Sequence, residues 1–361
     1  PSPLWRRLKR SIDRRFMAGF ERPAAMANAA PMACRGCAAK LPAQPLAAAL
    51  ERVGLGGQPE DAASLPGSEQ LLQSVDGFPA LVSDPWLNGR LTALHACSDL
   101  WACGARVSSA MATVTLPMVS AEEQQELLVQ TLAGIRSVLD EQGAELIGGH
   151  TMESRSAPPV PASLGIQITL TVNGNSPKSP WLKTGLRPGD ALLISRPLGT
   201  GVLFAGTMTG ATKATDLDAA LKGMACSQHV LLGQIEPIRE GIHACTDITG
   251  FGLLGHLGEM LQNSPGLTVE LDGSAIPAYP GSLDLFKRGV SSTLAPSNRT
   301  AWRWLEGPVQ LKQPPSAGLL ELLVDPQTCG PLLLACSSAT AAQLTQNGPW
   351  LQIGSATAAH G

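Results

Sequence analysis

No apolar run in this 361-residue chain approaches the roughly 20 residues that a helix needs to cross a bilayer; stretches such as residues 332–335 are only strand-sized. A membrane partner is therefore not expected. An excess of charge of one sign is also lacking: the formal net charge is −3, which offers no general attraction for nucleic acid. The locally basic residues 6–15 (RRLKRSIDRR) read as a solvated helix face. They are not followed by the apolar stretch and small-residue cleavage site of a secretory signal. Cys34-Arg35-Gly36-Cys37 is a lone CxxC, and no second Cys or Cys/His pair follows at finger spacing, which disfavours structural zinc. The eight cysteines sit mostly in apolar or helical contexts rather than in a small disulfide framework, so they read as reduced and the protein as cytoplasmic. Because the chain begins with Pro1 and not methionine, a fragment of a longer polypeptide is the simplest reading.

What is present suits an α+β protein of two domains. Residues 1–32 combine the basic segment with an alanine-rich linker over 23–31. Residues 33–180 form a first domain, with helices expected at 45–53, 90–105 and 120–142 and strands at 71–75, 80–82, 109–116, near 146 and over 164–172. The sequence Ser120-Ala121-Glu122-Glu123 is a capping box that opens the longest helix. The turn-rich residues 183–190 begin a second domain, 181–361, with strands at 191–195, 267–271 and 332–336 and helices at 216–221, 230–240 and 339–346.

Four aspartates, Asp61, Asp76, Asp99 and Asp247, each lie among small or glycine-rich residues, downstream of Cys37-Ala38-Ala39-Lys40. Carboxylates without accompanying histidines or thiolates favour a hard ion such as Mg²⁺, which binds through carboxylates and substrate phosphates. Asp76 is expected where a strand ends in a turn, aimed out of the sheet edge, and Asp99 on a helix of small residues. Asp247 is expected in a loop that feeds a glycine-spaced helix, where free N–H groups attract anions. Each also has a plain reading: Asp76 and Asp84 as turn formers, Asp99 as a surface charge, Asp247 as an N-cap. Cys34 and Cys37 are expected in an irregular, exposed segment, with Lys40 favouring the Cys37 thiolate. Gly148-Gly149-His150-Thr151 reads as a glycine turn after a strand, with His150 structural or catalytic.

Taken in order, eight blocks resemble the selenophosphate synthetase (selenide, water dikinase) family, of the superfamily that includes aminoimidazole ribonucleotide synthetase. They are Gly36-Cys37-Ala38-Ala39-Lys40, Glu60-Asp61-Ala62-Ala63, Asp76 through Asp84-Pro85, Gly89-Arg90 to Ser98-Asp99, Gly148 through Thr151, Pro197-Leu198-Gly199-Thr200-Gly201, Thr246 through Gly252, and Asp325-Pro326-Gln327-Thr328. The resemblance implies a two-domain aminoimidazole ribonucleotide synthetase-like (PurM-like) fold that converts ATP, selenide and water to selenophosphate, orthophosphate and AMP. It implies Cys37 and Lys40 as catalytic residues, and Asp61, Asp76, Asp99 and Asp247 as Mg²⁺ ligands. Lys40, Asp76, Asp99, Gly148, Gly149, His150 and Thr151 are implied as ATP contacts. It further implies a homodimer paired through its N-terminal domains, and leaves open a monovalent cation. Residues 5–20 resemble the end of a pyridine-nucleotide-disulfide oxidoreductase-like domain, fused ahead of the synthetase in some bacteria.

The chain departs from the family at three places. His95 stands where asparagine is common, Cys329-Gly330-Pro331 stands where Ser-Gly-Gly is usual, and residues 152–163 are proline-rich. Two other readings compete: a weakened nucleotide-binding paralogue that regulates a fused oxidoreductase, and another ATP-dependent enzyme of the superfamily.

Overall fold

A computed structural model describes residues 34–52, 60–154, 165–262 and 264–359. The basic segment, the linker, the oxidoreductase-like stretch and most of the proline-rich stretch lie outside the described residues. Helix α1 spans Ala43–Arg52 and is followed by strands β1 (Ala63–Leu65) and β2 (Ser68–Pro79), helix α2 (Pro85–Ala102), β3 (Arg106–Leu116), helix α3 (Ala121–Glu141), β4 (Glu145–Glu153) and β5 (Gln167–Asn175). The sheet order is β1-β2-β5-β3-β4, antiparallel except for the β3–β4 pair.

Alternation along these strands decides the layering. Leu72 of β2, Ile168, Leu170 and Val172 of β5, and Ala110, Ala112 and Val114 of β3 are buried beneath α2 and α3. The opposite face carries Leu71, Val75, Met111, Ile147 and Met152, all exposed. Helix α2 begins at Pro85 and not at residue 90: Asp84 is its N-cap, accepting from Leu87 N at 3.0 Å, with proline in the first turn. Residues 80–82 are consequently a turn into that cap and not a strand. The capping box at Ser120 is present.

Helices α2 and α3 touch backbone to backbone. A Cβ on Gly89 would lie 2.2 Å from Thr131 O, and one on Gly134 would lie 1.9 Å from Trp86 O. Gly134→Val is expected to force the helices apart and lower stability by about 3 kcal/mol, read from urea denaturation; an unchanged midpoint would contradict the contact.

The second sheet, ordered β7-β10-β6-β11-β8-β9, is built from β6 (Ala191–Ile194), β7 (Ile242–Asp247), β8 (Leu267–Leu271), β9 (Val309–Leu311), β10 (Leu332–Cys336) and β11 (Leu351–Ala358). Helices α4 (Thr200–Met208), α5 (Ala214–Met224), α6 (His229–Ile235), α7 (Gly252–Gln262), α8 (Ser282–Lys287), α9 (Ala295–Asn298), α10 (Ala317–Val324) and α11 (Ser338–Asn347) surround it. Its central strands are buried on both faces. Leu193, Cys245, Leu332 and Leu334 join the core of α2, whereas Leu192, Ile194, Leu333 and Ala335 join the core of α7 and α10. Such strands read as continuous apolar runs, which is why β6 and β10 are legible and the polar-punctuated β7 and β11 are not. The segment 230–240 is two pieces: α6 ends at Ile235 and a 3-10 turn continues through Pro237.

Candidate active site

The site lies where the two sheets meet at α2. Asp76 lies within β2, not at its end; its neighbours on the same face are Leu72, Ser74 and Phe78, so the carboxylate points under α2 and not out of the sheet edge. His95 and Asp99 are one helical turn apart on α2 and share that face. Asp247 ends β7, where its burial between two layers comes from the strand and not from a loop. Asp61 precedes β1.

These segments bring one carboxylate oxygen each from Asp61, Asp99 and Asp247 within 4.8 Å of one another. Ser74 donates to Asp99 Oδ2 and Ser98 donates to Asp247 Oδ2. Burial, and then the charges of Asp247, Asp76 and Asp61, hold the Asp99 pKa well above the carboxylate range. Burial also raises Asp61, to about 7, against the pull of Lys183. Lys183 Nζ lies 2.8 Å from Asp61 Oδ1 and 3.1 Å from Glu259 Oε2, and Thr246 Oγ1 donates to Asp61 at 3.2 Å. Asp76 stands apart from the trio, with Oδ2 3.2 Å from His95 Nε2.

The Cys37 segment is a 3-10 turn, Gly36–Ala39, and its thiol is buried rather than exposed. Cys34 is buried likewise. The turn is fastened to the second domain: Cys37 N donates to Thr328 Oγ1 at 3.1 Å, and Thr328 N donates to Thr200 Oγ1 at 3.0 Å. Gln327 Oε1 accepts from the N–H groups of Gly199 and Thr200, at 2.9 and 3.1 Å, at the start of α4. Gly36 is needed here, because its φ of +62° is left-handed and a Cβ would meet Thr328 Oγ1 at 2.6 Å. Cys37 Sγ lies 3.0 Å from His95 Nε2. Lys40 reaches over the Phe251 ring, 5.1 Å from its centroid. The surrounding protein opposes its charge, but Asp76, Cys37, Asp99 and Asp247 outweigh that and raise its pKa, so the ammonium is charged.

Gly148, Gly149, His150 and Thr151 are not brought to this cluster within one chain. They lie inside the exposed edge strand β4 and do not form a turn. Asp76 pairs with Leu170, Leu170 with Ala112 and Ala112 with Gly149, which puts Gly149 three strands away, about 14 Å at the usual spacing. Sequence reasoning missed the roles of Ser74, Ser98, Thr328 and Lys183, and noted His95 only as a departure. The His95–Asp99 spacing on a helix is the one signal that joins His95 to the acids; nothing local marks Lys183.

Three carboxylates that repel one another, Asp247 buried and Asp61 and Asp99 half-buried, with hydroxyl donors behind them, are a hard-donor set that a divalent ion such as Mg²⁺ fits. An ammonium and a thiol beside them add an electrostatic partner and a soft nucleophile.

Comparison with known proteins identifies the fold and the family. The family model of the AIR synthase related protein, N-terminal domain, matches residues 59–174, and that of the C-terminal domain matches residues 187–360. A selenide, water dikinase of Nitratidesulfovibrio vulgaris is 35% identical over 289 residues, 79% of this chain and 78% of that one. One of Bdellovibrio bacteriovorus is 31% identical over 327 residues, 86% of this chain and 88% of that one. Solved structures share the fold. Thiamine monophosphate kinase from Aquifex aeolicus superposes with a TM-score of 0.62 at 16% identity, covering 86% of this chain and 94% of that one. Hydrogenase maturation protein HypE superposes with a TM-score of 0.55 at 21% identity, covering 83% and 84%. The shared architecture, the AIR synthase related domains and the similarity along most of its length make this chain a member of the selenide, water dikinase family.

Proposed function

We propose that this chain makes selenophosphate from ATP, selenide and water, releasing AMP and orthophosphate. The observation that carries the reading is the convergence of Asp61, Asp99 and Asp247, from three distant segments, beside a buried thiol and a charged lysine. Mg²⁺ held by Asp61, Asp99 and Asp247 would supply positive charge to the phosphate oxygens. Lys40 adds a second, fixed positive charge as phosphoryl groups leave, and Asp76 and Asp99 keep that ammonium charged. Cys37, buried at its own turn, places its thiol where it would hold selenide by non-covalent contact and away from water, with no sulfur–selenium bond formed. Phosphorus NMR of the protein with ATP, Mg²⁺ and selenide, without oxygen, tests this. Selenophosphate and AMP are expected, whereas ADP with no selenium–phosphorus signal would assign the chain to another chemistry of the superfamily.

The exposed face of the first sheet supports a homodimer. Leu71 and Val75 of β2, Met111 of β3, and Ile147 and Met152 of β4 leave exposed apolar side chains on three strands of this face, which a second copy would cover. In that assembly Gly148 through Thr151, at the sheet edge, would lie at the interface and contact ATP from there. Sedimentation equilibrium should give twice the 37.5 kDa chain mass. Val75→Asp with Ile147→Asp should return the monomer, and a monomeric parent protein would overturn the proposal.

A further inference from the structure

Each acid of the trio has one oxygen already held by a donor from another segment. Ser74, on β2, donates to Asp99 Oδ2, and Ser98, on α2, donates to Asp247 Oδ2 at the end of β7. Lys183, in the connection between β5 and β6, has Nζ 2.8 Å from Asp61 Oδ1, and Thr246 Oγ1 donates to that same oxygen at 3.2 Å. Lys183 is itself fixed, since its main-chain N donates to Glu60 Oε2 at 2.7 Å and its Nζ lies 3.1 Å from Glu259 Oε2. The other oxygen of each acid, Oδ2 of Asp61 and Oδ1 of Asp99 and of Asp247, accepts no hydrogen bond from the described residues.

A carboxylate that carries a metal ion can only accept, so the hydroxyls and the ammonium must donate. Ser98 Oγ also lies 2.7 Å from the His95 carbonyl, and its single proton goes to the charged acceptor, which makes the stronger bond. Ser98 and Asp247 are each 2% exposed, so water does not take over this bond. An oxygen held in this way cannot turn onto the ion without breaking a charge-assisted hydrogen bond.

Hard divalent ions differ in what they ask of carboxylates. Mg²⁺ demands near-octahedral geometry and keeps several waters, whereas Ca²⁺ accepts more ligands and often takes both oxygens of one carboxylate. We infer that Ser74, Ser98 and Lys183 are positioning residues that leave Asp61, Asp99 and Asp247 one oxygen each for the ion, and so set the preference of the site for Mg²⁺ over Ca²⁺. The inference rests on the metal role proposed for the trio, but its tests do not require turnover.

Two measurements decide it. In a crystal of the parent protein grown with Mn²⁺, which shares the octahedral oxygen preference of Mg²⁺, the anomalous signal should place the ion on Asp61 Oδ2, Asp99 Oδ1 and Asp247 Oδ1. A bidentate carboxylate, or ligation through an oxygen that Ser74, Ser98 or Lys183 holds, overturns the inference. In solution, electron paramagnetic resonance follows bound Mn²⁺ while Mg²⁺ or Ca²⁺ displaces it. In the parent, Mg²⁺ should displace it at about tenfold lower concentration than Ca²⁺. The double variant Ser74→Ala with Ser98→Ala should lose about that factor, the scale of one hydrogen bond to a charged group. Ser74→Thr, which keeps a hydroxyl, should retain the parental ratio. If the alanine pair keeps the ratio, or Ser74→Thr loses it, the donors do not set the preference and the inference fails. The crystal result stands on the parent protein should the alanine pair not fold. Metal preference as expected with no selenophosphate formed would remove the proposed function and leave this inference, whereas selenophosphate formed at a site with a bidentate acid would do the reverse.

Discussion

Asp247→Asn is expected to lower selenide-dependent AMP formation by about a hundredfold or more, the scale of removing one preorganised group that meets developing charge. The substitution preserves shape, and the carbonyl of asparagine can still accept from Ser98. What changes is one negative charge in a trio whose ligand atoms lie within 4.8 Å of one another. The same change has an opposite effect on the metal-free protein. Asp61 keeps its proton up to about pH 7 in the folded chain and releases it near pH 4 when unfolded. Between those values the folded state binds more protons, so stability in chelator falls as pH rises. Asp247 is one of the charges behind that shift. Its neutralisation should flatten the fall, and should also abolish the rise in melting temperature that Mg²⁺ gives the parent. Melting curves in chelator and in Mg²⁺ across pH, together with AMP formation, check both halves. Parental turnover in the variant would remove Asp247 from the chemistry. A steeper fall would show that its charge does not repel Asp61.

Cys37→Ser is expected to lower selenophosphate formation by about a thousandfold or more, in the range seen when one member of a group of residues that act together is removed from a site that otherwise stays assembled. Serine keeps the main-chain bond to Thr328 and fits the space, so the turn should still close. Its hydroxyl is a hard, weakly acidic group that does not reproduce the soft, polarisable sulfur proposed to hold selenide. ATP affinity, which we propose rests on Lys40 and the aspartates, should stay within about threefold. Titration calorimetry with a non-hydrolysable ATP analogue and phosphorus NMR of turnover separate the two effects. A serine variant with parental selenophosphate formation would show that the thiol is dispensable. A variant that loses nucleotide as well would show that the turn has opened.

Much of the first domain was legible because its signals are local. The capping box at Ser120 and the period of α3 act over a few residues, whereas the aspartate and proline that open α2 read as a turn and place its start five residues late. Strand β11 and the strand character of 242–247 were not legible, since their polar residues are tolerated only where neighbouring strands and helices cover them. The burial of Cys34 and Cys37 was missed for the same kind of reason. A glycine- and alanine-rich segment looks exposed until Thr328, nearly 300 residues away, fastens it.

The sequence by itself determined which chemical groups this protein carries and in what local setting: hard carboxylates without a histidine cluster, a thiol three residues from a lysine, and glycines where side chains would obstruct. Only the tertiary structure decided which of these groups meet. Asp61, Asp99 and Asp247 form one trio while Asp76 turns to His95, Lys183 arrives from a loop that no motif marks, and Gly148 through Thr151 stay at the far edge of the sheet. The physical reason is range. Capping, turn and periodicity preferences act over a few residues, whereas charge repulsion, ion pairing and burial act over a few ångströms of space, and only folding brings distant residues within that distance.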